Sequence, residues 1–321
     1  MAQFFLIGIA AGAASALLAI SPASGSPFAL VLYSLVPLPI LIATIGWGYL
    51  AGLIAAFTAA TALTLVVGAF FFFLFLVGTA LPGWWLGYLA MLGRPGAHGD
   101  IEWYPPGRLV VWAAVLATAV VTLAILNAGT DPDVFRAGAR RFLERIMRAY
   151  WRAPEGTPLQ IPEVSDANQF LDLMAVMVAP MGGLALTTIN LINLWLAAWI
   201  VRVSGRLQRP WPDLAAMRFP PMVAAAFAAA FAAQFVPGIV SIIAGVFAAA
   251  MLLAYAILGF AIVHKVTADV NHRALILAGV YAVVVVFRWP ILVMVLLGLA
   301  DAIVDIRERF AVKPGPPAPL T

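Results

Sequence analysis

The chain has no cysteine. That excludes disulfides, thiolate nucleophiles, iron–sulfur clusters and every zinc site built on Cys ligands. Histidine is almost as scarce. His98, His264 and His272 are the only three, and none falls in the H-E-x-x-H spacing of a metalloprotease. Neither a G-x-S-x-G elbow nor a P-loop occurs, so no cofactor and no catalytic residue is expected, and the chain does not read as an enzyme. Charge is the third shortage. Charged residues make up 10% of the chain, against about 25% in ordinary soluble domains. From Met1 to Gly93 there is no Asp, Glu, Lys, Arg or His at all.

What fills the chain instead is apolar. Hydrophobic residues are 64% of 321, and the mean hydropathy is +1.03. A chain of this length cannot bury that much within itself, so the surrounding medium must be lipid. The net charge of +4 does not point to nucleic acid, because the basic residues sit in short loops between apolar runs rather than on one soluble face. Arg outnumbers Lys sixteen to two in an Ala-, Gly- and Pro-rich chain. That composition suits a GC-rich bacterial genome, and the expected location is the bacterial cytoplasmic (inner) membrane.

A helix needs roughly 17–25 apolar residues to cross the hydrocarbon core. Candidate spans are 4–20, 28–45, 48–67, 69–92, 108–127, 169–203, 220–235, 239–263, 270–287 and 290–308. The first lacks the basic n-region of a signal peptide and reads as a retained span. The fold class is therefore all-α, a polytopic transmembrane helical bundle of eight to ten spans. The chain divides into N-terminal membrane helices (1–127), a connecting segment (128–168), C-terminal membrane helices (169–310) and a Pro-rich tail (311–321). With the N-terminus inside and every span crossing, Arg94, Arg108, Arg202, Arg206, Arg209, Arg218, Lys265, Arg273, Arg307, Arg309 and Lys313 fall on the cytoplasmic side, as do both termini. Basic bias in short loops is the main orientation signal.

One outer segment departs from that bias, and its pattern supplies a reason. In "DPDVFRAGARRFLERIMRAYWR" (131–152) Asp131 is an N-cap and Pro132 opens the helix. Phe135, Ala139, Phe142, Leu143, Ile146 and Tyr150 share one face; Arg136, Arg140, Arg141, Arg145 and Arg148 share the other. Such a helix belongs in the membrane interface, against the lipid bilayer. A helix packed on the bundle with its basic face in solvent is the alternative.

Near the C-terminus "VVVVFRWPILVMVLL" places Arg288 inside an apolar run. A guanidinium at the bilayer centre is costly. Two helices of about 27 Å each, at 1.5 Å per residue, would instead make "FRWP" a hairpin turn, with Arg288 and Trp289 at the outer interface and Pro290 opening the last helix. Asp301 and Asp305 share a helix face, the spacing of an intramembrane aspartyl pair. Asp305 also lies four before Arg309, a helix-stabilising ion pair, and that is the favoured reading.

The most polar stretch expected to be buried is "APMGGLALTTINLINLW" (179–195). Thr187, Asn190 and Asn193 recur every third residue and line one face. They either bond a neighbouring helix or face a substrate cavity beside a kink at "PMGG". Gly8 with Gly12, Ala10 with Ala14, and Gly48 with Gly52 have the small-xxx-small spacing of close helix contacts.

Two regions are familiar. "PFALVLYSLVPLPILIATIGWGYLAGLIAA" (27–56) resembles the second and third spans of S components of energy-coupling-factor vitamin transporters. "LPGWWLG" (81–87), "NLINLWLAAWIVR" (190–202), "MRFPP" (217–221), "YAILGFAIVHK" (255–265) and "GLADAIVDIRER" (298–309) are similar to the YybS-like family of predicted bacterial membrane proteins, domain of unknown function 2232. The resemblance implies solute binding or transport, with an ATPase and coupling module or another membrane partner. It also places Ala10 and Ala14 at a docking motif in the first span. S components have six spans, and this chain has more. A non-transporting scaffold or regulatory protein acting through partners is the other reading.

The topology is testable because the chain is free of Cys. Single cysteines at Ala97 and Gln208 should resist an impermeant thiol reagent in intact cells, and one at Arg288 should react. Labelling at Gln208 with none at Arg288 would invert the arrangement.

Overall fold

The computed structural model describes residues 2–307 apart from His98, Glu155, Pro158, Gln160, Pro162, Glu163 and Ile306. Arg309, Lys313 and the tail at 311–321 lie outside the described residues. Thirteen α-helices follow in chain order among them: α1 (Ala2–Ala19), α2 (Ala29–Ser34), α3 (Pro37–Trp47), α4 (Tyr49–Val67), α5 (Phe70–Phe75), α6 (Leu81–Ala90), α7 (Pro106–Ala128), α8 (Pro132–Trp151), α9 (Ala167–Val203), α10 (Met222–Ala233), α11 (Ile239–Val266), α12 (Arg273–Phe287) and α13 (Ile291–Val304). Seven segments are long and apolar enough to cross a membrane: α1, α2 with α3, α4, α5 with α6, α7, α9 and α11. The chain is thus a polytopic α-helical membrane protein. The Pro/Gly-rich loop after α6 carries a small hairpin, β1 (Gly93–Pro95) antiparallel to β2 (Ile101–Trp103), with Arg94 2.7 Å from Glu102.

Three expected spans are short. α10 has 12 residues, α12 has 15 and α13 has 14, or about 18, 22 and 21 Å at 1.5 Å per residue. The hydrocarbon core is about 30 Å thick. Left-handed backbone at His272 and Asp305 sets the outer limits of the last two. The turn between them falls where expected: α12 stops at Phe287, Arg288 turns with φ 60°, and Pro290 caps α13.

Two breaks differ from expectation. The second span is interrupted between α2 and α3, because Pro37 has no N–H to continue the ladder. Leu38 donates to Leu35 rather than to Ser34, which frees the Ser34 carbonyl. In contrast, "PMGG" does not break its span. α9 runs unbroken from Ala167 to Val203 with Pro180 inside it. Gly183 lies against the Val246 backbone and side chain, and the Pro180 ring reaches Gly245, so this stretch lets α9 and α11 approach closely.

At 37 residues, α9 is about 55 Å long and outruns the hydrocarbon. Its first turns meet α8. Arg140 of α8 lies 2.9 Å from Asp172 and donates to Asn168 at 2.7 Å. Asp131 caps α8 as expected, accepting from Asp133. Ala139 is buried, while Phe142, Ile146 and Tyr150 stay exposed in a row. α8 therefore docks on α9 by one edge and leaves an apolar strip outward. Arg136 pairs with Asp133 and Arg148 with Glu144. Arg145 reaches the Arg141 carbonyl at 3.4 Å.

α11 and α13 pack backbone against backbone. A Cβ on Gly259 would strike the Met294 carbonyl, and one on Gly298 would strike the Tyr255 carbonyl. Gly259→Leu should therefore lower stability by about 1–3 kcal/mol through overpacking, read as a lower melting temperature in detergent. Gly279→Ala on α12, where nothing approaches the position, should cause no such loss. Equal stability of wild type and Gly259→Leu would contradict this packing.

Candidate functional site

The polar stripe on α9 is buried, with Thr187, Asn190 and Asn193 at 0, 7 and 1% exposure. Thr187 donates to the Gly183 carbonyl of its own helix at 2.7 Å. Asn193 does something more consequential. Its Nδ2 donates at 2.8 Å both to Ile189 and to the Ser34 carbonyl that the Pro37 break had freed. Both partners are carbonyls, so the amide orientation follows from the network. Its Oδ1 is buried without a partner among the described residues. Ser15 of α1 bonds the Val36 carbonyl of the same break at 2.7 Å.

The other candidates separate. Ala10 and Ala14 are exposed, while Gly8 and Gly12 are the α1 residues that face α4. Gly48 is the turn between α3 and α4, with φ 98°, and Gly52 packs on Thr44. Arg136, Arg141 and Arg145 lie on the exposed side of α8, and Trp289 is exposed at the α12–α13 turn.

The C-terminal acids are ion-paired, with partners that sequence spacing did not indicate. α13 ends at Val304, so Asp305 leaves the helix and pairs with Arg218 at 2.6 Å. Asp301 accepts from the Arg307 guanidinium at 2.6 and 3.0 Å and from its backbone N–H at 3.1 Å. Arg307 also donates to the carbonyls of Met217 at 2.7 Å and Ala215 at 3.2 Å. A buried ion pair is favourable only when its remaining donors are satisfied, and here they reach the backbone of the 206–221 loop. That loop is thereby tied to the end of α13.

Beneath the loop lies a cavity of about 490 Å³, within the 300–1,000 Å³ typical of small-molecule sites. Its walls come from α3, α6, α7, α9, α11, α12 and the loop. Leu191, Leu194, Ile257 and Phe260 make its apolar surface, and Trp195 and Tyr281, both about half exposed, belong to its rim. Thr187, Asn190 and Asn193 are not in its wall. Three polar side chains are. His264 Nε2 and the Tyr281 hydroxyl bond each other at 2.9 Å, and the Tyr281 ring stacks on Phe260.

The third, Arg209, is half-buried and donates to the Ala90 carbonyl at 2.8 Å. Ala90 ends α6, so the cation sits at the negative end of a helix. Desolvation by burial pulls the Arg209 pKa below its ordinary value, yet an arginine stays protonated at neutral pH. Among the described residues no group of three or more His, Asp or Glu could hold a metal.

Seven helical segments long and apolar enough to cross a membrane define a multi-pass α-helical membrane protein. The family described as "Predicted membrane protein (DUF2232)" matches residues 13–302, and the chain belongs to that family. No curated protein and no solved structure matches it.

Asn193→Leu removes the one side-chain donor to the Ser34 carbonyl among the described residues. It should cost about 0.6–2 kcal/mol, the range of interhelical hydrogen bonds in membranes, seen as a lower melting temperature with no ligand present. An unchanged melting temperature would mean that the bond does not hold the break.

Proposed function

We propose that this protein is a non-enzymatic binding protein, embedded in the bacterial cytoplasmic membrane, for a hydrophobic small molecule held in the cavity between α9, α11 and the 206–217 loop. The cavity carries this reading: it is lined by seven elements, almost wholly apolar in its wall, and of ligand size. Transport is a natural use of such a site, in keeping with the resemblance to S components. With no P-loop in the chain, energy would come from a partner ATPase and coupling module or from an ion gradient.

The burial of Asn193 against α2–α3 rather than in a cavity favours a second reading, a scaffold whose polar stripe only joins helices. The two diverge in a ligand screen. A ligand at 100 times its Kd stabilises the protein by about 2.7 kcal/mol. Apolar metabolites should therefore raise the melting temperature of wild type and of Ala226→Phe, whose site is exposed on α10. They should leave Ala198→Phe, which fills the cavity wall, unmoved. No response in wild type, or an equal one in Ala198→Phe, would leave the scaffold reading.

A further inference from the structure

The arginines of this chain differ in what neutralises them. Arg94, Arg136, Arg140, Arg148, Arg218 and Arg307 each lie within 3.2 Å of a carboxylate. Arg202 and Arg206 lie over the rings of Trp211 and Trp47, at 4.9 and 4.5 Å. Arg209 has neither. Among the described residues it makes one hydrogen bond, to the neutral Ala90 carbonyl, and no ion pair. A guanidinium carries five N–H donors, so most of its hydrogen-bonding capacity is unspent. It is also the charge in the wall of an otherwise apolar cavity, where no Asp or Glu contributes. A cation that faces no carboxylate beside low-dielectric walls attracts an anion more strongly than it would in water.

The rest of the wall selects what that anion is attached to. His264 and Tyr281 satisfy each other and leave the remaining surface apolar. A water's share of liquid volume is about 30 Å³, and a methylene occupies a comparable space. A cavity of about 490 Å³ thus holds roughly sixteen such units, one acyl-length chain and not two. The rim residues Trp195 and Tyr281 are amphipathic aromatics, the kind that sit where membrane meets water.

We propose that the cavity takes a single-chain amphiphile with an anionic head, the head on Arg209 and the chain among Leu191, Leu194, Ile257 and Phe260. This rests on the cavity being a binding site. Carboxylate and phosphate heads share the chemistry that Arg recognises, planar or tetrahedral oxygens accepting charge-assisted hydrogen bonds.

The test compares oleate, oleyl phosphate, oleyl alcohol and inorganic phosphate on the full chain in nanodiscs, each by displacement of a fluorescent fatty-acid probe. Wild type should bind oleate or oleyl phosphate at least about tenfold more tightly than oleyl alcohol, a charge-assisted bond's worth of discrimination. Arg209→Gln should bring the anion down to within about twofold of the alcohol while alcohol affinity is kept, and Arg209→Lys should retain most of the preference. Should the Gln variant fail to fold, the wild-type ratio and the Lys variant decide the matter alone. Equal binding of oleate and oleyl alcohol by wild type, or an undiminished preference in Arg209→Gln, overturns the anionic head and leaves the cavity a neutral site. Displacement by inorganic phosphate as effective as by oleate overturns the chain. If none of the three oleyl compounds binds, the binding reading itself falls.

Discussion

In hydrocarbon a backbone carbonyl without a donor has no water to turn to, and this chain is organised around answering that constraint. Pro37 interrupts the second span and frees Ser34; Asn193, on the sixth of the seven long apolar segments, supplies the donor, with Ser15 from the first on the neighbouring carbonyl. The α6 terminus is met by Arg209 and the 206–221 loop by Arg307. Each contact joins elements far apart in sequence, so satisfying the backbone is also what assembles the bundle. Glycines do the complementary work, letting α13 lie directly on α11.

The same contacts make the cavity. α9 gives Asn193 to the α2–α3 break and its Leu191–Trp195–Ala198 face to the space beneath the loop. The loop stays over that space because Arg307 grips Ala215 and Met217, two residues that also line it. α12 has no buried residue and meets α11 chiefly through Tyr281, which stacks on Phe260 and bonds His264. The α12 wall of the cavity is therefore held by side-chain contacts, Tyr281 with His264 and Phe260 and Arg273 with the His264 carbonyl, and the loop wall by Arg307.

Much of the fold was legible because lipid writes a strong signature. Ninety-three residues without charge, the Asp131–Pro132 helix start and the turn at Arg288 each follow from local chemistry, and each stands in the structure. What was not legible depended on distance. The Ser34–Asn193 bond spans 159 positions, so the every-third-residue polar pattern of α9 could be seen while its partner could not. The Asp305–Arg309 pairing expected from helical spacing falls on a residue outside the described ones; Asp305 itself leaves the helix after Val304 and pairs with Arg218, 87 positions away, which no local spacing indicates. "PMGG" reads as a kink, and the helix runs on through it, with Pro180 against Gly245 and Gly183 against Val246. The cavity left no sequence signal of its own, since seven elements contribute to it and most of its residues are ordinary apolar ones. Arg209 alone could have been noticed, as a cation flanked by "QRPWP" with no acid within three residues on either side.

The central claim is that the cavity beneath the 206–221 loop holds a hydrophobic molecule in the native membrane. Native mass spectrometry of the protein, extracted with its surrounding lipids and released intact, measures this most directly. The account predicts one retained small-molecule adduct on wild type at one-to-one stoichiometry, absent from Ala198→Phe isolated in the same way. A wild-type spectrum without a retained adduct, or an adduct that persists undiminished in Ala198→Phe, would contradict it.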